Sequence, residues 1–390
     1  MEILKVNPLS PKDLEELGLS WHMDTDNTSY VSDEIIEVTE QEAQDYYNAT
    51  NELYDMYIEA GQYVIDNRLF FELGIPFNLI EAIEMSWAEE VHWHLYGRFD
   101  LAGGIDGKPI KLLEFNADTP TMVYESAIIQ WAMLKKNGFD ESLQFNNLYE
   151  ALGDNFKRMI TLGDDISNFG AIYEGWKILF SSIQGSEEEE NTVRLLEVIA
   201  KEAGFKTDFC YAHEAHLDES LGLSYAEENF EFWFKLIPWE SIATDEPEMA
   251  TLITAMIRNK NTIFLNPAYT LMFQSKRMLK ILWDLFPNHP LLLETSFEPL
   301  ANKKQVKKHA FGREGESVSI LDNAGNALIV KEGNYGNYPE VYQEFVDLNT
   351  YNNSFYQANV FYAYEACALG FRKGGEILDN LSKFVSHKIK

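Results

Sequence analysis

The segment Tyr96-Gly-Arg-Phe-Asp-Leu, a glycine-rich stretch through Gly107, and Ile110-Lys-Leu-Leu-Glu-Phe-Asn read as strand, turn, strand. Side chains alternate faces along a strand, so Arg98 and Asp100 share one face, and Leu112, Glu114 and Asn116 share one face of the second strand. Phe99, Leu113 and Phe115 then point the other way, into the core. The register that keeps both apolar sets on one side puts Asp100 opposite Glu114 and Arg98 opposite Asn116, with the turn centred on Gly107. Two carboxylates facing each other repel unless a cation lies between them. Mg2+ takes hard oxygen donors and keeps positions open for water and phosphate, which makes Asp100, Glu114 and the Asn116 carbonyl oxygen candidate ligands. Arg98, beside them, is placed to stabilise charge on a transferring phosphoryl group. A plainer reading is a surface hairpin whose Arg98 neutralises Asp100 or Glu114, and spacing leaves both readings open.

A second stretch, Gln305-Val-Lys-Lys-His-Ala-Phe-Gly-Arg-Glu-Gly-Glu-Ser-Val-Ser-Ile, reads as a short strand, a tight loop from Gly312 to Gly315, and another strand. Such a loop brings backbone N–H groups close to phosphate oxygens, while a strand lysine, Lys308, reaches the same phosphates as a point charge. A Walker loop is excluded, because there the lysine follows the glycines and opens a helix. Taken alone, this stretch is better read as an ordinary hairpin, since any hairpin can carry one glycine loop.

Helical spacing fills the first 90 or so residues, at Glu40 to Gly61 and Phe77 to His92, and returns from Thr192 to Ala203, stopping at Gly204 before a short strand, Phe205 to Tyr211. The last part turns β-rich, at Ser317 to Leu321, Ala327 to Val330, Val341 to Val346 and Asn359 to Phe371. With 390 residues, 46% hydrophobic and 14% aromatic, the chain is large enough for two or three lobes around a cleft, without a clean linker between them. The net charge of -32, from 63 acidic and 31 basic residues, would repel a phosphate backbone and argues against nucleic acid as a partner. The same charge could attract a cationic amine or simply keep the protein in solution. Cys210 and Cys367 have no zinc or disulfide spacing. No apolar run approaches the roughly 18 residues of a membrane span, and no leader precedes the helices, so a cytoplasmic protein without membrane contact is expected.

Taken together, Tyr96-Gly-Arg-Phe-Asp, Glu114-Phe-Asn-Ala-Asp-Thr-Pro-Thr121, Glu189-Glu-Asn191, Phe234-Lys-Leu-Ile-Pro-Trp239, Asn266-Pro-Ala-Tyr-Thr270, Ile281-Leu-Trp-Asp-Leu-Phe-Pro287, Val306 to Gly315 and Val341-Tyr-Gln-Glu344 resemble the synthetase domain of the glutathionylspermidine synthase family, in family order and across nearly the whole chain. The resemblance implies an α+β, ATP-grasp fold of the glutathione-synthetase kind, with several lobes and ATP between antiparallel sheets. It also implies one ligase domain over residues 1–390 with no amidase domain. Implied with it are ATP and Mg2+ as cofactors, Arg98 at the phosphoryl-transfer step, and Asp100, Glu114 and Asn116 at the metal. Arg98, Asp100, Lys308, Gly312, Arg313, Gly315 and Gln343 fall at nucleotide positions. Thr119, Thr121, Glu189, Glu190 and Thr270 fall where the family holds glutathione, although Glu189 and Glu190 also belong to an acidic run, Glu187 to Glu190, that would suit a solvated helix face.

The implied reaction joins a small carboxylate, a peptide or amino acid, to an amine through an acyl-phosphate. An alternative on the same fold is an ATP-binding or ATPase module with a regulatory role and no ligase activity. Threonines stand where the family has serines at 119 and 121, His309 follows the lysine where the family has proline, and Leu348-Asn-Thr350 replaces Leu-Pro-Lys. These departures lead us to expect a changed substrate pocket, for which glutathione with spermidine is a poor pair.

Overall fold

The computed structural model describes every residue except 164. Its largest sheet has eight strands. In spatial order they run Glu2–Lys5, Val31–Val38, Lys383–Ile389, Glu365–Gly374, Ser354–Ala363, Gly97–Ala102 and Lys111–Asn116, with Asn349–Tyr351 paired onto Ser354–Ala363. All neighbours are antiparallel except Val31–Val38 and Lys383–Ile389. A five-stranded antiparallel sheet holds Gln305–His309 between Glu340–Glu344 and Val318–Leu321. The third sheet is parallel, Ile263–Leu265, Phe232–Lys235, Lys177–Ser182, Lys206–Tyr211, and a three-stranded antiparallel sheet completes the set.

The helix Glu40–Asn67 packs on one face of the large sheet. Thr39 caps it in a reciprocal pair with Glu42, and it runs through Gly61 instead of stopping there. A Cβ at Gly61 would come within 2.7 Å of Trp87 and 2.9 Å of Phe273, so this glycine serves close packing and does not end the helix. The second expected helix is shorter than Phe77 to His92: a 3-10 turn at Phe77–Leu79 leads into Ile80–Ala88. The third, Glu187–Glu202, starts at the N-cap Ser186, gathers four glutamates in its first turn where the helix dipole favours them, and ends at Gly204 with φ +105°. The run Asn359 to Phe371 is two strands and not one. They meet at Tyr364, which takes φ 69° in place of the glycine a tight turn usually advertises.

Behind the hairpin, Phe99 and Phe115 stack with centroids 3.8 Å apart, and Tyr57 meets Phe115 edge-on at 5.0 Å. Each fully buried ring contributes roughly 1.5–3 kcal/mol of apolar burial. Alternation therefore forces Arg98, Asp100, Glu114 and Asn116 onto the other face of the sheet, which is the wall of a cleft.

Candidate active site

The expected register holds where it matters. Arg98 pairs with Asn116, Phe99 with Phe115, and Asp100 with Glu114. Beyond that the ladder slips at a bulge, and Leu101 pairs with Leu112. Leu112 is consequently buried with Phe99 and Phe115, while Leu113 lines the cleft, the reverse of strict alternation.

Lys111–Asn116 is the edge of its sheet, and the five-stranded sheet uses its free carbonyls. Lys308 Nζ donates to Leu113 O at 2.9 Å and to Gln343 Oε1 at 2.8 Å, and Gln343 Nε2 donates to Leu112 O at 3.0 Å. The two sheets thus meet through the residues expected to hold a nucleotide. Between them lies a cleft of about 350 Å3. It brings together Arg98, Asp100, Glu114 and Asn116, the threonines Thr119 and Thr121, Glu189, and from the second sheet and its loop Lys308, Arg313, Gly315 and Gln343.

Arg98 is buried. Its Nε and Nη2 donate to the two Asp100 oxygens at 2.8 and 3.2 Å, and its Nη1 donates to Thr121 O at 3.0 Å. Asn359 Nδ2 adds a bond to Asp100 Oδ1 at 2.7 Å, and the other Asn359 amide atom, Oδ1, is buried without a partner among the described residues. The neutralising role of Arg98 is therefore real, and it coexists with an opening onto the cleft. Across from it, burial would push the Glu114 carboxyl up, but the ammonium groups of Lys276 and Lys308 outweigh burial and hold it down to about 2. Glu114 is thus an anion at any ordinary pH. Asn116 Nδ2 leans 3.5 Å from Glu114 Oε1, and no donor among the described residues takes the Asn116 carbonyl oxygen. Two carboxylates and an amide oxygen on one face match the donors Mg2+ prefers, and leave room for the water or phosphate oxygens it keeps. The donor set fits that ion.

Lys276 was not among the residues the sequence singled out. Its Nζ lies 3.0 Å from Glu114 Oε2 and donates to Gly312 O at 2.7 Å, so it joins the hairpin to the glycine loop. Burial lowers Lys308 to about 8, with Glu114 working in the opposite direction. Gly312 enters through its carbonyl, away from the cleft lining. Gly315 has φ +70°, and a Cβ there would stand 2.1 Å from Leu378 O, so only glycine lets the loop press against that segment.

Arg313 spans the cleft floor, donating from Nη1 to Thr119 Oγ1 at 2.9 Å and from Nη2 to Glu240 Oε1 at 2.6 Å. Glu240 lies in the first turn of the helix Trp239–Asp245, just after the segment that supplies buried Lys235, 3.9 Å from Asp118. Burial raises Asp118 to about 6, and its Oδ1 has no hydrogen-bond partner among the described residues. Two amides fix the chain here. Asn266 Nδ2 donates to Tyr96 O and Asp118 O, at 3.0 and 2.8 Å, and Gln274 Oε1 accepts from the N–H groups of Ala117 and Asp118.

The acidic run divides. Glu190 turns away to Arg194 and Tyr211, at 2.8 and 2.9 Å, while Glu188 and Glu189 line the cleft. Burial, then the neighbouring Glu125, raises Glu188 to about 7, and burial raises Glu189 as well. Trp21 and Tyr30 line the same cleft, as does Arg372, whose Nε is buried without a partner among the described residues. Thr270 stays in the core, its hydroxyl donating to Pro267 O at 2.8 Å.

Known proteins are similar to this chain. A Haemophilus influenzae protein provisionally named an acid–amine ligase is 30% identical over 390 aligned residues, covering 93% of this chain and 92% of its own. The bifunctional glutathionylspermidine synthetase/amidase of Escherichia coli is 25% identical over 83% of this chain, and trypanothione synthetase of Crithidia fasciculata 24% over 76%. The chain spans about half the length of these two relatives, 54% and 47%. In fold, a glutathione synthetase-like effector from Globodera pallida aligns over 98% of both chains with a TM-score of 0.58 at 10% identity, which confirms the expected glutathione-synthetase-like α+β architecture. The model of the glutathionylspermidine synthase preATP-grasp family matches residues 1–390, and this chain belongs to that family.

Proposed function

We propose that this protein is an ATP-dependent carboxylate–amine ligase that forms an amide through an acyl-phosphate. The observation that carries this reading is a single cleft lined by two opposed chemistries. One set, Arg98, Lys308 and Gln343 beside apolar Val306, Val318 and Ile320, suits a triphosphate and its base. The other set, Glu188 and Glu189 with Trp21 and Tyr30, suits a basic amine.

When bound at Asp100, Glu114 and Asn116, Mg2+ would neutralise and orient phosphate oxygens. The chain's own groups do the rest. Lys308 and Lys276 keep Glu114 ionised and offer positive charge to the phosphates. Arg98, already positioned by Asp100 and Thr121 O, meets the charge that develops as the substrate carboxylate takes the γ-phosphoryl group. Arg313 and Thr119 stand where that carboxylate would be held. Glu188, with its raised pKa, is suited to bind the ammonium form of the second substrate and to accept a proton as the amine becomes a nucleophile. Gly315, seated under Leu378, closes the site against water that would hydrolyse an acyl-phosphate.

The test is phosphate release from ATP with panels of small peptides, amino acids and amines, followed by mass spectrometry of the products. A carboxylate and an amine together should give an amide, ADP and phosphate in equal amounts, with glutathione and spermidine slower than the best pair. ATP hydrolysis indifferent to every amine would overturn the ligase reading in favour of a nucleotide-binding module.

A further inference from the structure

On the other face of the hairpin, between the helices Glu40–Asn67 and Ile80–Ala88 and the turn at Tyr364, lies a second cavity of about 510 Å3. No residue lines both it and the cleft. Its volume falls within the range of small-molecule sites. The walls are unusually aromatic for a water-accessible space: Trp87, Trp93, Tyr269, Tyr362 and Tyr364. One of these rings already takes a cation from outside, since the Arg158 guanidinium sits 4.3 Å from the Tyr364 centroid.

His92 supplies the polar element. It is 7% exposed, lines the cavity, and its Nδ1 is buried with no partner among the described residues. Burial lowers its pKa below the ordinary 6.5, so the ring is neutral near pH 7 and offers a lone pair. A buried nitrogen left without a partner costs stability unless something else satisfies it. At the rim, Glu89 pairs with Lys260 at 2.9 Å, whereas exposed Glu90 has no ion pair among the described residues. Asp55 stands near Tyr54 and Tyr362. Among the described residues that line the cavity, Glu89 and Glu90 are carboxylates and none is a lysine or arginine.

We propose that this cavity binds a primary ammonium ion with an apolar body, the ammonium donating to His92 Nδ1 and lying against the aromatic faces. A carboxylate would meet the rim with the wrong sign, and a quaternary ammonium would find the rings but leave Nδ1 unsatisfied.

The inference does not rest on the ligase reading, so the test is made without ATP or metal. Calorimetric titration with phenethylammonium should show one saturable site, weakened about tenfold by His92→Phe, the order expected for one charge-assisted hydrogen bond. Glu90→Gln should weaken it less. N,N,N-trimethylphenethylammonium should bind more weakly than the primary amine, and 3-phenylpropionate should give no saturable heat. Should His92→Phe fail to fold, Glu90→Gln and the trimethylated ligand still decide. Equal binding of the carboxylate, no saturable heat from the amine, or binding lost in Glu188→Gln but intact in His92→Phe would overturn the proposal, the last by placing the cation in the cleft.

Discussion

Lys276 places its ammonium 3.0 Å from the Glu114 carboxylate and, through the same nitrogen, donates to Gly312 O at 2.7 Å. One side chain therefore holds both the proposed metal face and the glycine loop. Lys276→Met should weaken ATP binding about tenfold or more, measured by calorimetry, because it removes a charge-assisted contact in a poorly solvated place. The stability cost has a definite pH dependence. Glu114 is depressed from 4.5 to about 2 in the fold, so its stabilisation is complete above 4.5 and is lost as pH falls through about 2. In metal-free protein, the gap in urea midpoint between wild type and Lys276→Met should narrow over that window. A gap independent of pH would show that Lys276 does not act through Glu114.

Arg98→Ala removes the partner of buried Asp100 and leaves that carboxylate opposite Glu114, so it should cost about 3–5 kcal/mol of stability as well as activity. Arg98→Lys separates the two effects. It keeps a positive charge but cannot make the two-pronged contact to Asp100 together with the bond to Thr121 O. Thermal unfolding should lose about 1–3 kcal/mol, less than in Arg98→Ala, while kcat falls about 100-fold. Full activity in Arg98→Lys would remove Arg98 from the phosphoryl-transfer step.

Glu188→Gln should make the protein more stable at neutral pH and less able to use its amine. A carboxyl raised from 4.5 to about 7 penalises the fold progressively as pH rises through that interval. Denaturant titrations should thus show a gain of about 1–2 kcal/mol above pH 7 that vanishes below 4.5. In the wild type, amine KM should fall as Glu188 ionises near pH 7, and the variant should lose that inflection. An unaltered KM profile would exclude Glu188 from amine binding.

Gly315→Ala forces a Cβ into Leu378 O at a backbone angle that alanine avoids. We expect a loss of about 1–2 kcal/mol in thermal unfolding and a larger proportional loss in ATP affinity, since the loop must shift away from the cleft. Undiminished affinity would show that the seat under Leu378 is irrelevant to the nucleotide.

The hairpin was legible because phenylalanines and charged residues alternate in it, so one register satisfied both faces. The bulge was not, since Leu112 and Leu113 are the same residue and hydrophobicity cannot say which of them is buried. Lys276 lies in the short link between the helices Thr270–Gln274 and Met278–Leu285, next to Arg277, and its partner is 162 positions away in the chain. Glu188 and Glu190 look alike in an acidic run, and only the helix phase decides that one lines the cleft while the other pairs with Arg194. The turn at Tyr364 escaped because the residue that takes the positive angle carries a full side chain. Periodicity reports which face a residue takes within an element, whereas these misses depend on partners from distant elements or on local departures from regular geometry.

The bulge at Leu113 also sets where this chain can change length. Residues at the hairpin tip, around exposed Asp106 and Gly107, can be added or removed without altering which way Glu114 points, because the turn absorbs the difference. Between Leu112 and Glu114 a deletion acts elsewhere: losing Leu113 would leave Leu112 opposite Leu101 and Glu114 opposite Asp100 in an unbroken ladder, but it would remove the carbonyl that takes the Lys308 ammonium and so unseat the second sheet. Descendants of this sequence should therefore vary freely at the tip and keep the count of residues from Leu112 to Asn116 fixed.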